Sequence, residues 1–240
     1  MEPALVFGTS RIPPVIDIRQ EVTATIEATV LVVATLFPIV NPLGSAAIFV
    51  NLVGPIAFTT QRLLAQKIAI YSFFLLICSL LWGVHVLAFF GISIYAVQIG
   101  GGLVVAATGW SLLNQDTGQK KPAATPEDEI LENAFYPFTL PITVGPGSIS
   151  VAITLGAHLP AELHESSLFS PRVLIAAITG ITVICVIIYM CYIYARKAEQ
   201  LLGRSGTSMV MRLSSFILLC IGVQIISTGI KAYLQTIGKF

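Results

Sequence analysis

Long uncharged stretches, separated by short charged intervals, organise this chain. No charged side chain occurs between Ala28 and Gln61, and none between Ile68 and Gln115. A straight helix crosses the hydrocarbon of a bilayer in about 20 residues. The first stretch is therefore too long for one straight helix, and the second holds two helices with a tight turn at Phe90-Gly91-Ile92-Ser93. Further apolar runs predict spans over 134–158, 173–195 and 212–234, with the first span over 26–52. Helix punctuation supports these edges. Thr125 before Pro126, followed by Glu127, Asp128 and Glu129, reads as a helix start. Ser170-Pro171 repeats the signal, Thr60 is expected to cap the second span, and Gly203-Arg204-Ser205-Gly206 is expected to turn between the last two.

Composition raises this pattern to a class. The chain has 240 residues, 55% hydrophobic and only 10% charged, with mean hydropathy +0.88. Soluble domains carry about 25% charge. The expectation is an all-α integral membrane protein, with residues 1–22 as an extramembrane N-terminal segment and 23–240 as a single transmembrane domain. The N-terminal segment carries Arg11, Pro13, Pro14, Asp17 and Arg19, which is not the pattern of a secretory signal. A net charge of +1 offers no basic face for nucleic acid. Cys78, Cys185, Cys191 and Cys220 lie in or beside apolar runs and form no CxxC pair, so neither a metal site nor a redox pair is indicated. Arg11, Arg19, Arg172, Lys231 and Lys239 fall on one side of a six-span chain. Arg62, Lys67, Lys120, Lys121, Arg196, Lys197, Arg204 and Arg212 fall on the other. The richer side is expected to be cytoplasmic, which puts both termini outside.

Two of the spans are broken alike. The first contains Phe37-Pro38-Ile39-Val40-Asn41-Pro42-Leu43-Gly44-Ser45, the fourth Leu140-Pro141-Ile142-Thr143-Val144-Gly145-Pro146-Gly147-Ser148. At a constant offset of 103 residues Pro38 meets Pro141, Ile39 meets Ile142, Gly44 meets Gly147 and Ser45 meets Ser148. Proline removes a backbone donor and glycine weakens a helix, and lipid supplies no water to repair the loss. Each half, about 23–113 and 134–236, holds three spans and opens with a broken one. An odd number of spans makes the second half enter from the opposite face, so the expected architecture is two inverted three-helix repeats with the first and fourth helices broken mid-membrane. Such repeats place a substrate site at their interface. The polar stretch 114–133 reads as a cytoplasmic linker. Small residues in the third span of each half, Gly100-Gly101-Gly102 and Ser214-Ser215, read as packing surfaces.

The breaks carry the available chemistry. A half-helix beginning near Gly44, and another near Gly147, would present amides and a partial positive charge to a carboxylate. The half-helices ending near Val40 and Thr143 would present carbonyls to an ammonium group. Together these suit a zwitterion. Asn41, Thr139, Thr143, Ser45 and Ser148 add polar side chains, and Gly44, Gly145 and Gly147 allow close backbone approach. No charged residue lies at either break, which favours a small neutral solute. His85 lies late in the second span as a candidate for proton coupling, while His158 and His164 read as loop residues. Gln98 and Gln224 are expected to hydrogen-bond between helices. Carboxylates are absent from the middle of every span.

FPIVNPLGS, LPITVGPGSIS and GVQIISTGI, spread over about 23–233, resemble the MarC family, also described as neutral amino acid transporters. The resemblance implies a bacterial or archaeal inner-membrane protein of six spans that carries glycine, alanine and similar amino acids by alternating access. It maps substrate binding onto Asn41, Pro42, Gly44, Ser45, Thr143, Gly145, Pro146, Gly147 and Ser148. A small-anion channel and drug efflux, the latter suggested by the family name, are the alternatives. No cofactor and no metal are expected; a coupling proton or sodium ion, the direction of transport and the oligomeric state stay open. Enzymatic readings lack their residues. A membrane thiol conductor would need cysteine where Asn41 and Gly145 stand, and a serine protease would need a base beside Ser45 or Ser148.

Overall fold

The computed structural model describes residues 18–114 and 127–237, all helix and short connection among the described residues. Most of the N-terminal segment, the Thr125-Pro126 cap and the lysines of the linker lie outside the described residues. The first apolar run forms α1 (Ile18–Val40) and α2 (Pro42–Val53), with Asn41 between them. Next come α3 (Phe58–Phe89), α4 (Ile94–Leu113) and the short α5 (Glu127–Glu132). A wide-turned stretch, Ala134–Thr143, leads into α6 (Pro146–Glu162). The last two helices are α7 (Pro171–Gly203) and α8 (Ser205–Ile237).

Five apolar paths are each long enough to cross a membrane: α1 with α2, α3, α4, α7 and α8. Ala134–Thr143 with α6, bent by 68°, makes a sixth if it is taken as one broken span. The connections follow the local chemistry. Gly91 at φ 67° turns the chain between α3 and α4, and the Ser93 hydroxyl caps α4 by accepting from Ala96 N–H. Gly203, also at φ 67°, is the whole break between α7 and α8, tighter than the four-residue turn expected there. Only glycine enters that region without cost. Pro171 opens α7 behind Ser170, whose hydroxyl and carbonyl accept from Val173 and Leu174. Thr60 does not cap α3, which starts at Phe58 after Ala57, so Thr60 lies inside the first turn.

Lateral packing joins the two halves. α4 runs antiparallel to α8: a side chain at Gly102 would meet Gly222 and Ile226, one at Gly109 would meet Leu219, and one at Gly229 would meet Ile99. The small residues thus serve backbone contact, with Gly222 and Gly229 as α8's main contributors. α1 and α2 run parallel to α7, held by Val32 against Gly180, a Thr29–Thr179 hydroxyl pair at 3.1 Å, and Phe49 stacked on Tyr192. α6 lies on α3, with Gly156 against the Leu80 carbonyl and Gly83 against Ile153.

Two ends of this bundle are marked by arginines. Arg172 pairs with Glu21 and lies 3.5 Å from Glu165, which gathers the starts of α1 and α7 with the end of α6. Arg196 donates to the Gly54 carbonyl, which gathers the ends of α2 and α7. Lys67 Nζ donates to the Leu131 carbonyl, and Tyr71 meets Phe135 edge-on, which sets the start of the wide-turned stretch beside the first third of α3.

Candidate functional site

The two breaks are built differently. At the first, Asn41 takes the left-handed conformation (φ 46°, ψ 59°). Its amide donates to Phe37 O at 3.0 Å, its carbonyl accepts from Ser45 N–H at 2.9 Å, and its side-chain oxygen accepts from Gly44 N–H at 3.2 Å. One residue therefore ends α1 and caps α2, which asparagine does well because it tolerates this region and accepts locally. The amides expected to be free at Gly44 and Ser45 are satisfied from within. Gly44 leaves room for this cap, since a Cβ there would stand 2.4 Å from Asn41 Nδ2 and shift the capping side chain.

The second break is wider. Proline occurs twice, at Pro137 and Pro141, and the backbone leaves helical values at Tyr136 and Leu140. α6 then starts after Gly145 with Pro146 in its first turn and no side-chain cap. Gly147 does not border open space: a Cβ would lie 2.2 Å from Val105 Cγ2, so this glycine lets α6 close on α4. Gly145 is freer, with only the Pro141 carbonyl near its Cβ position, at 3.1 Å. Ser150 fastens the same contact by donating to Val97 O at 2.8 Å.

Hydroxyl groups tie the breaks together. Ser45 Oγ stands 3.2 Å from Val40 O and 3.1 Å from Ile142 O, the carbonyls that end the two preceding segments. It has one proton for two acceptors. Thr143 Oγ1 donates to Phe138 O at 2.7 Å and lies 2.6 Å from Tyr192 Oη, so the phenol donates to the threonine. Phe49 stacks on the Tyr192 ring with centroids 4.7 Å apart and meets Phe138 edge-on at 5.8 Å. Gln61 Nε2 donates to the carbonyls of Tyr192 and Ile193 at 2.7 and 3.2 Å, which pins this turn of α7 to α3. Ser45, Thr143 and Ser148 are 4%, 2% and 3% exposed, so the site is closed to solvent in this conformation.

Most other hydroxyls in the spans return to a carbonyl of their own helix, as Thr25, Ser79, Thr108 and Ser215 do. Apart from the Thr29–Thr179 pair, the hydroxyls that join different elements among the described residues lie at or beside the breaks. Along the first broken path the break lies past the middle of the helical length. α1 has 23 residues and α2 only 12, lengths of about 35 and 18 Å. On α7, Tyr192 is one helical turn from Arg196. Pro42 is buried here, while Pro146 is exposed.

Several polar residues fall elsewhere. His85, His158 and His164 are exposed and outside the cluster. Gln224 is exposed, and Gln98 is buried with its Oε1 unpartnered; neither makes the expected interhelical hydrogen bond among the described residues. No group of acidic, histidine or cysteine side chains suited to a metal occurs among the described residues. Tyr192 and Gln61 are the site residues that the sequence reading passed over. The available signal was a tyrosine-rich turn, Tyr189 to Tyr194, near the end of an otherwise aliphatic span.

Residues 26–234 match the family model described as "MarC family integral membrane protein". The chain is 32% identical over 209 residues to the inner membrane protein MarC of Escherichia coli strain K12, covering 84% of this chain and 93% of the relative. The same protein of Shigella flexneri and of Escherichia coli O1:K1 matches at the same identity and coverage. No solved structure matches. The chain belongs to the MarC family of integral membrane proteins.

Proposed function

We propose that this protein is a carrier of small neutral amino acids that works by alternating access, with its substrate held between the two breaks. One observation carries the reading: three hydroxyls and two segment-ending carbonyls from α1, α2, α7 and the second break converge in an otherwise apolar interior. Ser45 satisfies only one of its two carbonyls at a time. An ammonium group, with three donors, would satisfy both and release the hydroxyl. A carboxylate would take the uncapped first amides of α6. The absence of charge at the breaks fits a guest that is neutral overall.

The six-span, inverted-repeat arrangement belongs to this proposal. Lys67 and Tyr71 of α3 stand beside the start of the fourth path, and Arg172 beside its end, which supports a full crossing. Exchange of partners supports the repeat: the first half's broken span packs on α7, the second half's on α3, and α4 pairs with α8. On the charge count, the cluster lies toward the cytoplasmic end, with both termini outside in the bacterial or archaeal cytoplasmic membrane. Reporters fused to the termini that proved cytoplasmic would reverse that orientation.

A hydrolytic role finds no support in the geometry. Ser45 bonds to two backbone carbonyls, neither of them a general base. The test of the carrier reading is thermal unfolding of the detergent-solubilised protein with each small amino acid. A ligand specific to the folded state at one hundred times its dissociation constant adds about 2.7 kcal/mol. Glycine, alanine or serine should raise the midpoint while aspartate and lysine do not. Equal and negligible shifts across the series would reject the substrate class.

A further inference from the structure

A second, unrelated cleft lies between α3 and α7 on the outer surface of the bundle, with a volume of about 530 Å³. That lies within the roughly 300–1,000 Å³ range of ligand pockets. Arg62 and Gln66 stand at one end, and Ile70, Phe73, Phe74 and Val186 line its length. It shares no residue with the hydroxyl cluster. Arg62 and Gln66 are exposed, and neither makes a hydrogen bond or ion pair among the described residues. Among the described residues, nothing matches this cationic head at the mouth of an open apolar trough.

The dimensions say what fits. Arg62 to Phe74 is twelve residues along α3, a rise of about 18 Å. Half the hydrocarbon thickness of a bilayer is about 15 Å. Lys67 is the last charged residue before the long apolar run of α3, so Arg62 and Gln66 belong at headgroup level and the phenylalanines within one leaflet. From Lys67 to Phe74 is seven residues, about 10 Å, so the cleft runs from the membrane surface into one leaflet. We propose that it holds an anionic phospholipid, with its phosphate on Arg62 and Gln66 and an acyl chain along Ile70, Phe73, Phe74 and Val186. Charge complementarity selects the anionic class, because a zwitterionic headgroup brings its own cation to the guanidinium. The lipid packs α3 against α7, the helix pair that Gln61 also joins.

Purified, delipidated full-length protein is mixed with equal amounts of phosphatidylglycerol and phosphatidylcholine, and bound lipid is counted by native mass spectrometry. Phosphatidylglycerol should be retained at least fivefold over phosphatidylcholine. Arg62→Ala, at an exposed position, should bring that ratio close to one. Ala69→Trp, which fills the cleft, should lower retention of both lipids. Equal retention of the two lipids by the unaltered protein, or an unchanged preference in Arg62→Ala, would overturn the proposal. A dimer that Ala69→Trp breaks apart would also overturn it, by assigning the cleft to a second copy of the chain. None of these outcomes depends on amino acid binding at the breaks.

Discussion

Replacing Tyr192 with phenylalanine separates a structural role from a transport role at the breaks. The change removes one oxygen and keeps the ring that stacks 4.7 Å from Phe49. Thr143 still donates to Phe138 O, so it is not orphaned. The stability loss is that of one side-chain hydrogen bond, about 0.6 kcal/mol on average inside membrane proteins and about 1.7 at most. For a chain of this size that corresponds to a fall of roughly 1–7 °C in the unfolding midpoint. If the phenol only braces the fold, uptake at saturating substrate should survive such a small loss. If it fixes Thr143 for the substrate, glycine or alanine uptake into proteoliposomes should fall at least tenfold, about 1.4 kcal/mol. Tyr192→Ala is the contrasting variant: it empties a site with 0% exposure and should cost about 3–5 kcal/mol. Well-folded Tyr192→Phe protein with uptake within twofold of the unaltered protein would refute the role given to the hydroxyl network.

Two further changes test the supporting structure. Asn41→Ala loses the cap on Gly44 and places an alanine at φ 46°, a combined loss of about 1–3 kcal/mol. Asn41→Gly keeps the permitted backbone and should lose only a few tenths of a kcal/mol, so thermal unfolding should rank glycine well above alanine; the reverse order would contradict the capping assignment. Gly222→Leu would drive a Cβ to 2.4 Å from Ala106 N and part α4 from α8, whereas a Cβ at Gly100 meets nothing within 4 Å and Gly100→Leu starts into open space. Size-exclusion profiles should show the first aggregated and the second normal, and two equal profiles would contradict the packing described.

The membrane class and the positions of the interruptions were legible because both follow from local rules. Charge-free length sets the spans, and proline with glycine marks where backbone bonding fails. What the local rules could not supply was the partner of each exposed group. The pattern Asn41-Pro42-Leu43-Gly44 suggested free amides, but whether asparagine caps its own helix depends on its backbone conformation. The second break began earlier than Leu140, and Pro137, four residues before Pro141, was its visible cause. Tyr192 reaches the breaks from α7, and Gln61 of α3 holds that turn of α7, at sequence distances that periodicity does not connect. Gly147 looked like room for a guest and instead admits Val105, since small residues serve cavities and helix contacts equally well.

The most direct test of the central claim is counterflow in proteoliposomes. Vesicles containing the protein are loaded with unlabelled alanine, diluted into labelled alanine, and compared with vesicles carrying Ser45→Ala. The carrier account predicts saturable, stereoselective accumulation of label by the unaltered protein and its loss in the variant, because the hydroxyl that bridges Val40 O and Ile142 O is gone. Unsaturable entry without accumulation, or full counterflow by Ser45→Ala, would contradict it.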